Sequence, residues 1–277
     1  MVHDPLQWRM YALTGFCVLL LLVVNPIRRF MSINFVTMQA ARWVTDHGEP
    51  GTWEFNQSAA AVHADSRLHL VMTYSSHSVY TRRRAQLWRT LNPGTTVEVY
   101  DNANSSRFVG DVYGDAMRRL LEWIPAGPIK ADLFRTLYLY ACGGLYADID
   151  AVPVQTIHTM YSGVPWAVPY LYVPHSRHNG QLNPMLIMAS PRHPTLAAVI
   201  HTYARLNATG AKFAYWKYSI VHILTALQWL GHSVDMHLHE TCKYWDIRTC
   251  RIATKTDDTA LWNRGTDWDN EAHTFVQ

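Results

Sequence analysis

The 277-residue sequence is poor in charge and has no concentration of one sign. Only 16% of the residues are Asp, Glu, Lys or Arg, and the formal net charge is +3. Proteins that bind nucleic acid concentrate Lys and Arg on one face. The only dense basic run here is Arg82-Arg83-Arg84, which is typical of a solvated helix face. The composition therefore argues against a nucleic-acid partner.

Cysteine is also scarce, and no two of the four cysteines have the two-residue spacing of a zinc ribbon. A structural zinc site of that kind is therefore excluded. Cys242 and Cys250 would be able to pair in an oxidising compartment, and two free thiols are an equally good interpretation. Neither an internal repeat nor a low-complexity tract is visible.

One uncharged apolar run, YALTGFCVLLLLVV at 11–24, stands near the N-terminus. With its flanks it reaches the roughly 20 residues that span a bilayer. No small-residue cleavage site follows, so we predict an uncleaved membrane anchor over 1–30, ahead of a signal peptide or a buried helix. Arg28 and Arg29 outweigh Arg9, so the positive-inside rule alone places the rest of the chain in the cytoplasm.

The rest of the chain alternates predicted strands and helices. Residues 31–66 are weakly periodic and are interpreted as a stem or lead-in. A strand at 68–74, a helix at 78–91 and a strand at 95–100 follow in the order of a parallel-sheet unit. We therefore predict one α/β domain over 67–277. The first helix is expected to bury Val79, Leu87 and Leu91.

A second helix is predicted at 129–141, where Leu133, Leu137 and Tyr140 share one face. Asp132 and Arg135 are three residues apart and share another face. A Gly-Gly turn ends the helix, and a short strand at 145–147 follows. Later in the chain the pattern predicts an apolar strand-like run at 185–189 and helices at 195–206 and 218–230.

Asp148 and Asp150 stand directly after the short strand. The two-residue period of a strand points both carboxylates to one side. Strand ends are where α/β sheets place ligands, and two carboxylates suit Mg²⁺ or Mn²⁺. A metal there would neutralise charge on a departing diphosphate, as sugar transfer from a nucleotide sugar requires. Asp-x-Asp alone is common, however, and many copies are solvated loop acids.

The context of the pair is more specific. The segment KADLFRTLYLYACGGLYADIDAVP at 130–153 resembles the sugar-binding segment of the DXD-motif glycosyltransferases. That family includes the yeast-type α-1,6-mannosyltransferases, and large clostridial glucosylating toxins share a similar segment. The matching positions are Asp132, Arg135, Gly143, Gly144, Tyr146, Asp148 and Asp150. Further resemblances lie at Trp88, Asn92-Pro93, Asp101 and 188–194.

The resemblance implies a GT-A fold, a Rossmann-like mixed sheet flanked by helices, and a retaining transfer of a hexose from a nucleotide-diphosphate sugar. It implies a catalytic role for Asp132, Arg135, Asp148 and Asp150. The donor-binding residues it implies are Val71, Met72, Thr73, Asp132, Arg135, Tyr146 and Asp148. The metal ligands it implies for Mn²⁺ or Mg²⁺ are Asp148, Asp150 and, from an Ala-His-x-aromatic stretch at 272–275, His273.

The family also implies a glycan, lipid or protein acceptor and a type II membrane protein of the Golgi or ER. That lumenal placement conflicts with the charges around the predicted anchor. Two other functions fit part of the sequence. Asp148 opens an Asp-x-Asp-x-Val pattern that is similar to the nucleophile loop of haloacid-dehalogenase-type phosphatases. A membrane-anchored carbohydrate-binding protein without activity is the third alternative, and the intact acidic residues argue against it.

Overall fold

A computed structural model describes residues 35–47, 55–63, 68–160, 170–173, 175–176, 182, 184–209, 213–214, 217–232, 240–241 and 253–255. Its helices are α1 (35–47), α2 (Gln57–His63), α3 (Val79–Leu91), α4 (Asn102–Trp123, kinked at Gly114), α5 (Gly127–Cys142), α6 (Ile157–Met160), α7 (Pro194–Ala208) and α8 (Ile220–Trp229). Its strands are β1 (His69–Thr73), β2 (Thr96–Tyr100), β3 (Gly144–Ala147), β4 (Ala151–Pro153), β5 (Leu171–Tyr172), β6 (His175–Ser176), β7 (Leu186–Ala189), β8 (Glu240–Thr241) and β9 (Ala253–Lys255).

The central sheet has five strands in the order β2-β1-β3-β7-β5. Strands β2 and β3 both run parallel to β1, with Val71 of β1 opposite Glu98 on one side and Tyr146 on the other. Strand β7 is antiparallel to β3 and to β5. This mixed sheet with flanking helices confirms the predicted α/β class. It also places the ends of β1 and β3, after Thr73 and Ala147, on one edge.

Each face of the sheet has its own hydrophobic core because side chains alternate along the strands. Leu70 and Met72 point to the face that is covered by α3, whose Trp88 is fully buried there. Val71 points to the opposite face, where the cluster draws residues from α1, α2, α4, α5, α7 and α8. The larger helical layer is therefore on the α5 side.

Part of the predicted lead-in belongs to this larger layer. Ala40, Ala41 and Val44 of α1 are buried in the same cluster as the α5 side chains. The backbone N–H of Asn56 donates to Val112 of α4 at 2.8 Å. Two helices of 31–66 thus contribute to the packing of the sheet domain, and the boundary at residue 66 stays a prediction.

The predicted anchor at 1–30 lies outside the described residues. Within the described ranges, no helix is both long enough and apolar enough to cross a bilayer.

Helix α3 corrects one expectation from the sequence. Its buried residues are Thr81, Ala85 and Trp88, whereas Val79 and Leu87 are exposed. The face is chosen by Trp88, whose indole N–H donates to the carbonyl of Ala151 at 3.1 Å. Aliphatic periodicity favours the face of Val79 and Leu87, whereas the small side chain of Ala85 lets the helix approach the sheet on the other face. The later predicted helices, 195–206 and 218–230, are confirmed as α7 and α8.

Candidate active site

Helix α5 is the element that carries the site, and it is buried along most of its length. Pro128 lies in its first turn, where the missing N–H costs nothing. Its charged pair is as buried as its apolar residues, since Asp132 is 6% and Arg135 is 4% exposed. Such charges are stable inside a protein only when they are paired and hydrogen-bonded.

The Gly-Gly turn connects α5 to β3 in a space that is too small for a side chain at either position. Both glycines have positive φ, +69° at Gly143 and +94° at Gly144. A Cβ on Gly144 would lie 2.6 Å from the carbonyl oxygen of His69, and one on Gly143 would lie 2.9 Å from the nitrogen of Pro191. The turn therefore fixes where β3 starts, and with it the positions of Tyr146 and Asp148.

Arg135 is the centre of the site. One of its terminal nitrogens is 3.1 Å from a carboxylate oxygen of Asp132 and 3.1 Å from one of Asp148. Its other nitrogens donate to backbone carbonyls, Nε to Ala131 at 3.3 Å and Nη1 to Pro184. Four of the five N–H groups of the guanidinium are used in this way. The residue links helix α5 to the end of β3.

The ring of Tyr146 forms the floor under this guanidinium. The Arg135 Cζ lies 4.2 Å from the ring centroid, which is cation–π geometry. The phenol oxygen is 2.8 Å from the hydroxyl oxygen of Thr73, so the hydrogen bond joins the ends of β3 and β1. Arg135, Tyr146 and Thr73, three residues of the implied donor site, are therefore linked by successive contacts.

The surroundings of the site keep Arg135 protonated and charged, and they keep Tyr146 protonated and neutral. Burial lowers the pKa of Arg135, but its interactions with Tyr146, Asp148 and Asp132 outweigh burial and raise the pKa. Burial is the largest cause of the raised pKa of Tyr146. The site thus holds a permanent cation between two carboxylates.

Asp132 has a second partner that sequence reasoning missed. Its other carboxylate oxygen accepts the backbone N–H of Ile220 at 3.1 Å. Ile220 begins α8, and the preceding Ser219 makes no capping bond with its own side chain. A carboxylate at a helix N-terminus satisfies a free N–H and interacts favourably with the helix dipole. Asp132 therefore caps α8 from a distant helix, and a backbone N–H gives no sequence signal for this contact.

Asp148 and Asp150 follow β3 in a turn and not in the strand itself, so the two-residue period from which their common side was predicted does not apply to them; both are partly exposed. The backbone of Asp148 is fixed on both sides, with its N–H donating to Met185 at 2.8 Å and its carbonyl accepting from Ala151 at 2.9 Å. Of the residues described, no group of three or more His, Cys, Asp or Glu is placed to hold a metal. Two carboxylates fit Mg²⁺ or Mn²⁺, since such ions are commonly held by one or two carboxylates, with phosphates and water completing the shell. The third predicted ligand, His273, lies outside the described residues.

The three residues predicted to line a nucleotide base have different surroundings. Val71 and Met72 are fully buried on opposite faces of the sheet. Thr73 is partly exposed and ends β1. A base at this edge would thus meet the side chain of Thr73 and only the backbone of the other two.

The other positions of the resemblance hold the backbone in place. Asn92 accepts the N–H of Ile157 at 2.6 Å and donates to the carbonyl of Trp88 at 3.1 Å. His193 accepts the N–H of Thr195 at 3.3 Å and so caps α7. These residues tie together the segments that flank β3 and β7.

Comparison with known proteins agrees with this geometry. Residues 57–165 match the family described as the glycosyltransferase sugar-binding region containing the DXD motif. The chain is 35% identical over 83 residues to the initiation-specific alpha-1,6-mannosyltransferase of Schizosaccharomyces pombe, a match covering 28% of this chain and 20% of the relative. It is 26% identical over 167 residues to HOC1 of Saccharomyces cerevisiae, whose name assigns it to the glycosyltransferases, covering 52% of this chain and 40% of that protein.

The matched parts thus span less than half the length of either curated relative. A solved structure of PaToxG glycosyltransferase superposes with a TM-score of 0.43 at 12% identity, over 72% of this chain and 79% of that chain. A likeness at that level carries no argument about function. The similarity to the family is a similarity in sequence, and its range includes Asp132, Arg135, Asp148 and Asp150. Residues 57–165 of this chain thus match the glycosyltransferase sugar-binding region of the DXD-motif family, in agreement with the resemblance in the sequence.

Proposed function

We propose that this protein is a metal-dependent glycosyltransferase of GT-A type that moves a hexose from a nucleotide-diphosphate sugar to a hydroxyl of a glycan, lipid or protein. The observation that carries the proposal is the pair of ion pairs at Arg135. They join Asp132, on the helix of the sugar-binding region, to Asp148 of the DXD motif. The name of the fission-yeast relative makes mannose the first sugar to test.

Asp148 and Asp150 are the residues that would hold the divalent cation, which would supply charge neutralisation at the diphosphate. Arg135 keeps one oxygen of Asp148 in a fixed position at 3.1 Å. Fixing a ligand before the substrate arrives lowers the cost of organising the site. Asp132 and Arg135 would orient the hydroxyls of the donor sugar, with Thr73 and Tyr146 close to the nucleotide side.

For the retaining transfer that we propose, the bonding of Asp132 argues against this residue as the nucleophile of a double displacement and so favours attack on the front face. A double displacement requires a carboxylate that is free to bond the anomeric carbon. Both oxygens of Asp132 already have partners, Arg135 for one and the N–H of Ile220 for the other. In our proposal the acceptor oxygen attacks the anomeric carbon as the bond to the diphosphate breaks. The acceptor proton passes to a departing phosphate oxygen.

The phosphatase alternative requires Asp148 itself to attack phosphate. An oxygen of that carboxylate is instead engaged by a buried arginine. The matching family is also a family of glycosyltransferases and not of phosphatases. Hydrolysis of a simple phosphate ester, without turnover of any nucleotide sugar, would support the phosphatase. Glycan binding without metal or nucleotide would support the carbohydrate-binding alternative.

The cellular setting is part of the same proposal. An anchor at 1–30 and a lumenal domain in the Golgi or ER fit a glycosyltransferase that modifies secreted glycans. The orientation is testable by protease protection of a C-terminal epitope in sealed microsomes. Protection supports the lumenal placement, and cleavage supports the cytoplasmic placement that Arg28 and Arg29 favour.

The central experiment is a donor-hydrolysis screen with the full chain in detergent. GDP-mannose, UDP-glucose and UDP-galactose are offered with Mn²⁺, with Mg²⁺ and with a chelator. We expect metal-dependent release of the nucleoside diphosphate from one donor. Asp150→Asn should reduce turnover at least about 100-fold because a ligand is lost. The matched control is Asp115→Asn, which removes an exposed carboxylate of α4 and should leave turnover unchanged. Undiminished activity of Asp150→Asn would overturn the metal role.

A further inference from the structure

The hydroxyl of Tyr203 is a buried polar group without a hydrogen-bond partner among the described residues. Tyr203 lies on α7 and is 0% exposed. Buried hydroxyls are normally satisfied, because an unsatisfied one costs free energy. A group that stays unpaired in the free protein is a candidate for a role that begins when a ligand binds.

The surroundings of Tyr203 indicate which ligand. Helix α7 packs against α5 and α8, the two helices that Asp132 connects. Burial is the main cause of the strongly raised pKa of Tyr203; the charge of Asp132 raises it further and that of Arg135 lowers it. The phenol is therefore protonated at neutral pH and lies within the electrostatic reach of both charges of the sugar-binding pair. Towards a carboxylate, a protonated phenol acts as a hydrogen-bond donor.

We propose that Tyr203 is a positioning residue that holds Asp132 in the complex with the donor sugar. The inference rests on the proposed function, because it gives the hydroxyl its partner only when a nucleotide sugar is bound. In the free protein Asp132 accepts from Arg135 and from the N–H of Ile220. A carboxylate oxygen accepts from more than one donor, so a sugar hydroxyl and the Tyr203 O–H are able to exchange with the partners of the free protein.

The chemistry of this step is a rearrangement of hydrogen bonds without a covalent change. A hexose hydroxyl that bonds to Asp132 competes with the partners that the carboxylate has in the free protein. The Tyr203 O–H then compensates with a charge-assisted hydrogen bond, which is stronger than a bond between neutral groups. The helix α8, which Asp132 caps, would keep its N-terminus in place while the sugar is bound.

Tyr218 offers a matched control within the same cluster. It is also 0% exposed, and its hydroxyl likewise has no hydrogen-bond partner among the described residues. Its ring centroid is 6.4 Å from that of Tyr203. Burial alone raises the pKa of Tyr218 to about 12, with no contribution from Asp132 or Arg135. Both tyrosines thus have a buried hydroxyl without a partner among the described residues, but only Tyr203 is affected by the charges of Asp132 and Arg135.

The experiment compares Tyr203→Phe and Tyr218→Phe in the full chain. Urea unfolding is measured first, followed by donor hydrolysis with the metal and nucleotide sugar that the wild type uses. Neither variant should lose stability, because Phe removes a hydroxyl that has no partner. Tyr203→Phe should raise the donor KM by at least about tenfold, as expected for a lost bond to a charged group. Tyr218→Phe should keep the wild-type KM and kcat.

Three results would count against this role. A donor KM of Tyr203→Phe equal to that of the wild type overturns the inference and leaves the proposed function intact. A clear loss of stability in Tyr203→Phe shows that the hydroxyl has a structural partner in the free protein, which also overturns it. A wild-type protein that turns over no nucleotide sugar contradicts the proposed function and the inference together.

Discussion

The two edges of the central sheet use residues of the same sequence motif for different purposes. At the edge where β1 and β3 end, Arg135 and Asp148 place charges around Tyr146. At the edge where these strands begin, Gly143 and Gly144 remove side chains so that backbone segments are able to touch. All five residues come from the segment 130–153. A sequence motif therefore mixes residues that do chemistry with residues that only set the path of the chain.

The edge where β1 and β3 begin also has a cavity. A cavity of about 610 Å³ is lined there by His69, Asn92, Cys142 and others. The side-chain oxygen and nitrogen of Asn92 each make a hydrogen bond to the backbone, and none of these three side chains forms an ion pair within the described residues. The two edges thus differ in charge, and the following changes test this difference.

The largest effect should come from Arg135→Ala at the charged edge. This change leaves the carboxylates of Asp132 and Asp148 without their cation, one of them buried. We expect a loss of about 3–5 kcal/mol in the free energy of unfolding, as for other broken buried pairs. Urea unfolding measures it.

The control for that change is Arg118→Ala on α4. Arg118 lies 2.9 Å from Asp115 in an exposed pair. Its removal should cost less than about 1 kcal/mol. Equal losses for the two variants would show that burial at the charged edge does not matter.

The next effect should come from Gly144→Ala at the other edge. The new methyl would collide with the carbonyl of His69 at 2.6 Å, at a φ of +94°. We expect a loss of about 2–4 kcal/mol, the sum of the left-handed conformation and a forced backbone shift.

Gly94→Ala is the matched comparison for Gly144→Ala. Gly94 has a φ of +91° with open space around it, so only the conformational part of about 1–2 kcal/mol should remain. If the two alanine variants were equally stable in urea, the tight packing behind the turn would be refuted.

A smaller effect should come from Tyr146→Phe. The change removes the 2.8 Å hydrogen bond to Thr73 and keeps the ring under Arg135. We expect a loss of about 0.5–1.5 kcal/mol. A double-mutant cycle with Thr73→Val should recover a coupling of similar size, whereas independent effects of the two changes would exclude the bond.

At neutral pH the smallest effect on stability should come from the ionisation of the thiol at the uncharged edge. Burial raises the pKa of Cys142 to about 12. Because the folded pKa lies above the unfolded value of about 8.5, the protonated thiol stabilises the fold fully below pH 8.5 and loses this contribution as the pH rises towards 12. Iodoacetamide at pH 8 should label Cys142 slowly in the folded chain and quickly in urea, as followed by peptide mapping. Fast labelling in the folded chain would contradict a partly buried, neutral thiol.

The elements around the site could be predicted from the sequence because their signals are local. The spacing of Leu133 and Leu137 marked α5, Gly143 and Gly144 marked its end, and the three-residue separation placed Asp132 beside Arg135. That contact is confirmed as an ion pair. Its burial was not predictable, because it depends on how α7 and α8 cover α5.

Contacts between distant elements could not be predicted in this way. Arg135 reaches Asp148 only because the turn brings β3 back alongside α5, and Ile220 and Pro184 contribute backbone atoms that any residue would supply. The buried face of α3 was predicted wrongly because aliphatic periodicity favoured Val79 and Leu87 over the face of Ala85 and Trp88.

The ion pair between Arg135 and Asp148 has a consequence for protein engineering. The acidic pair looks like a portable loop of three residues, but one of its carboxylates depends on a cation that another element supplies. Transplanting 148–150 alone into a foreign sheet would import negative charge without its counter-ion. The shortest transferable unit is the helix, its glycine turn and the strand end together, residues 127–150.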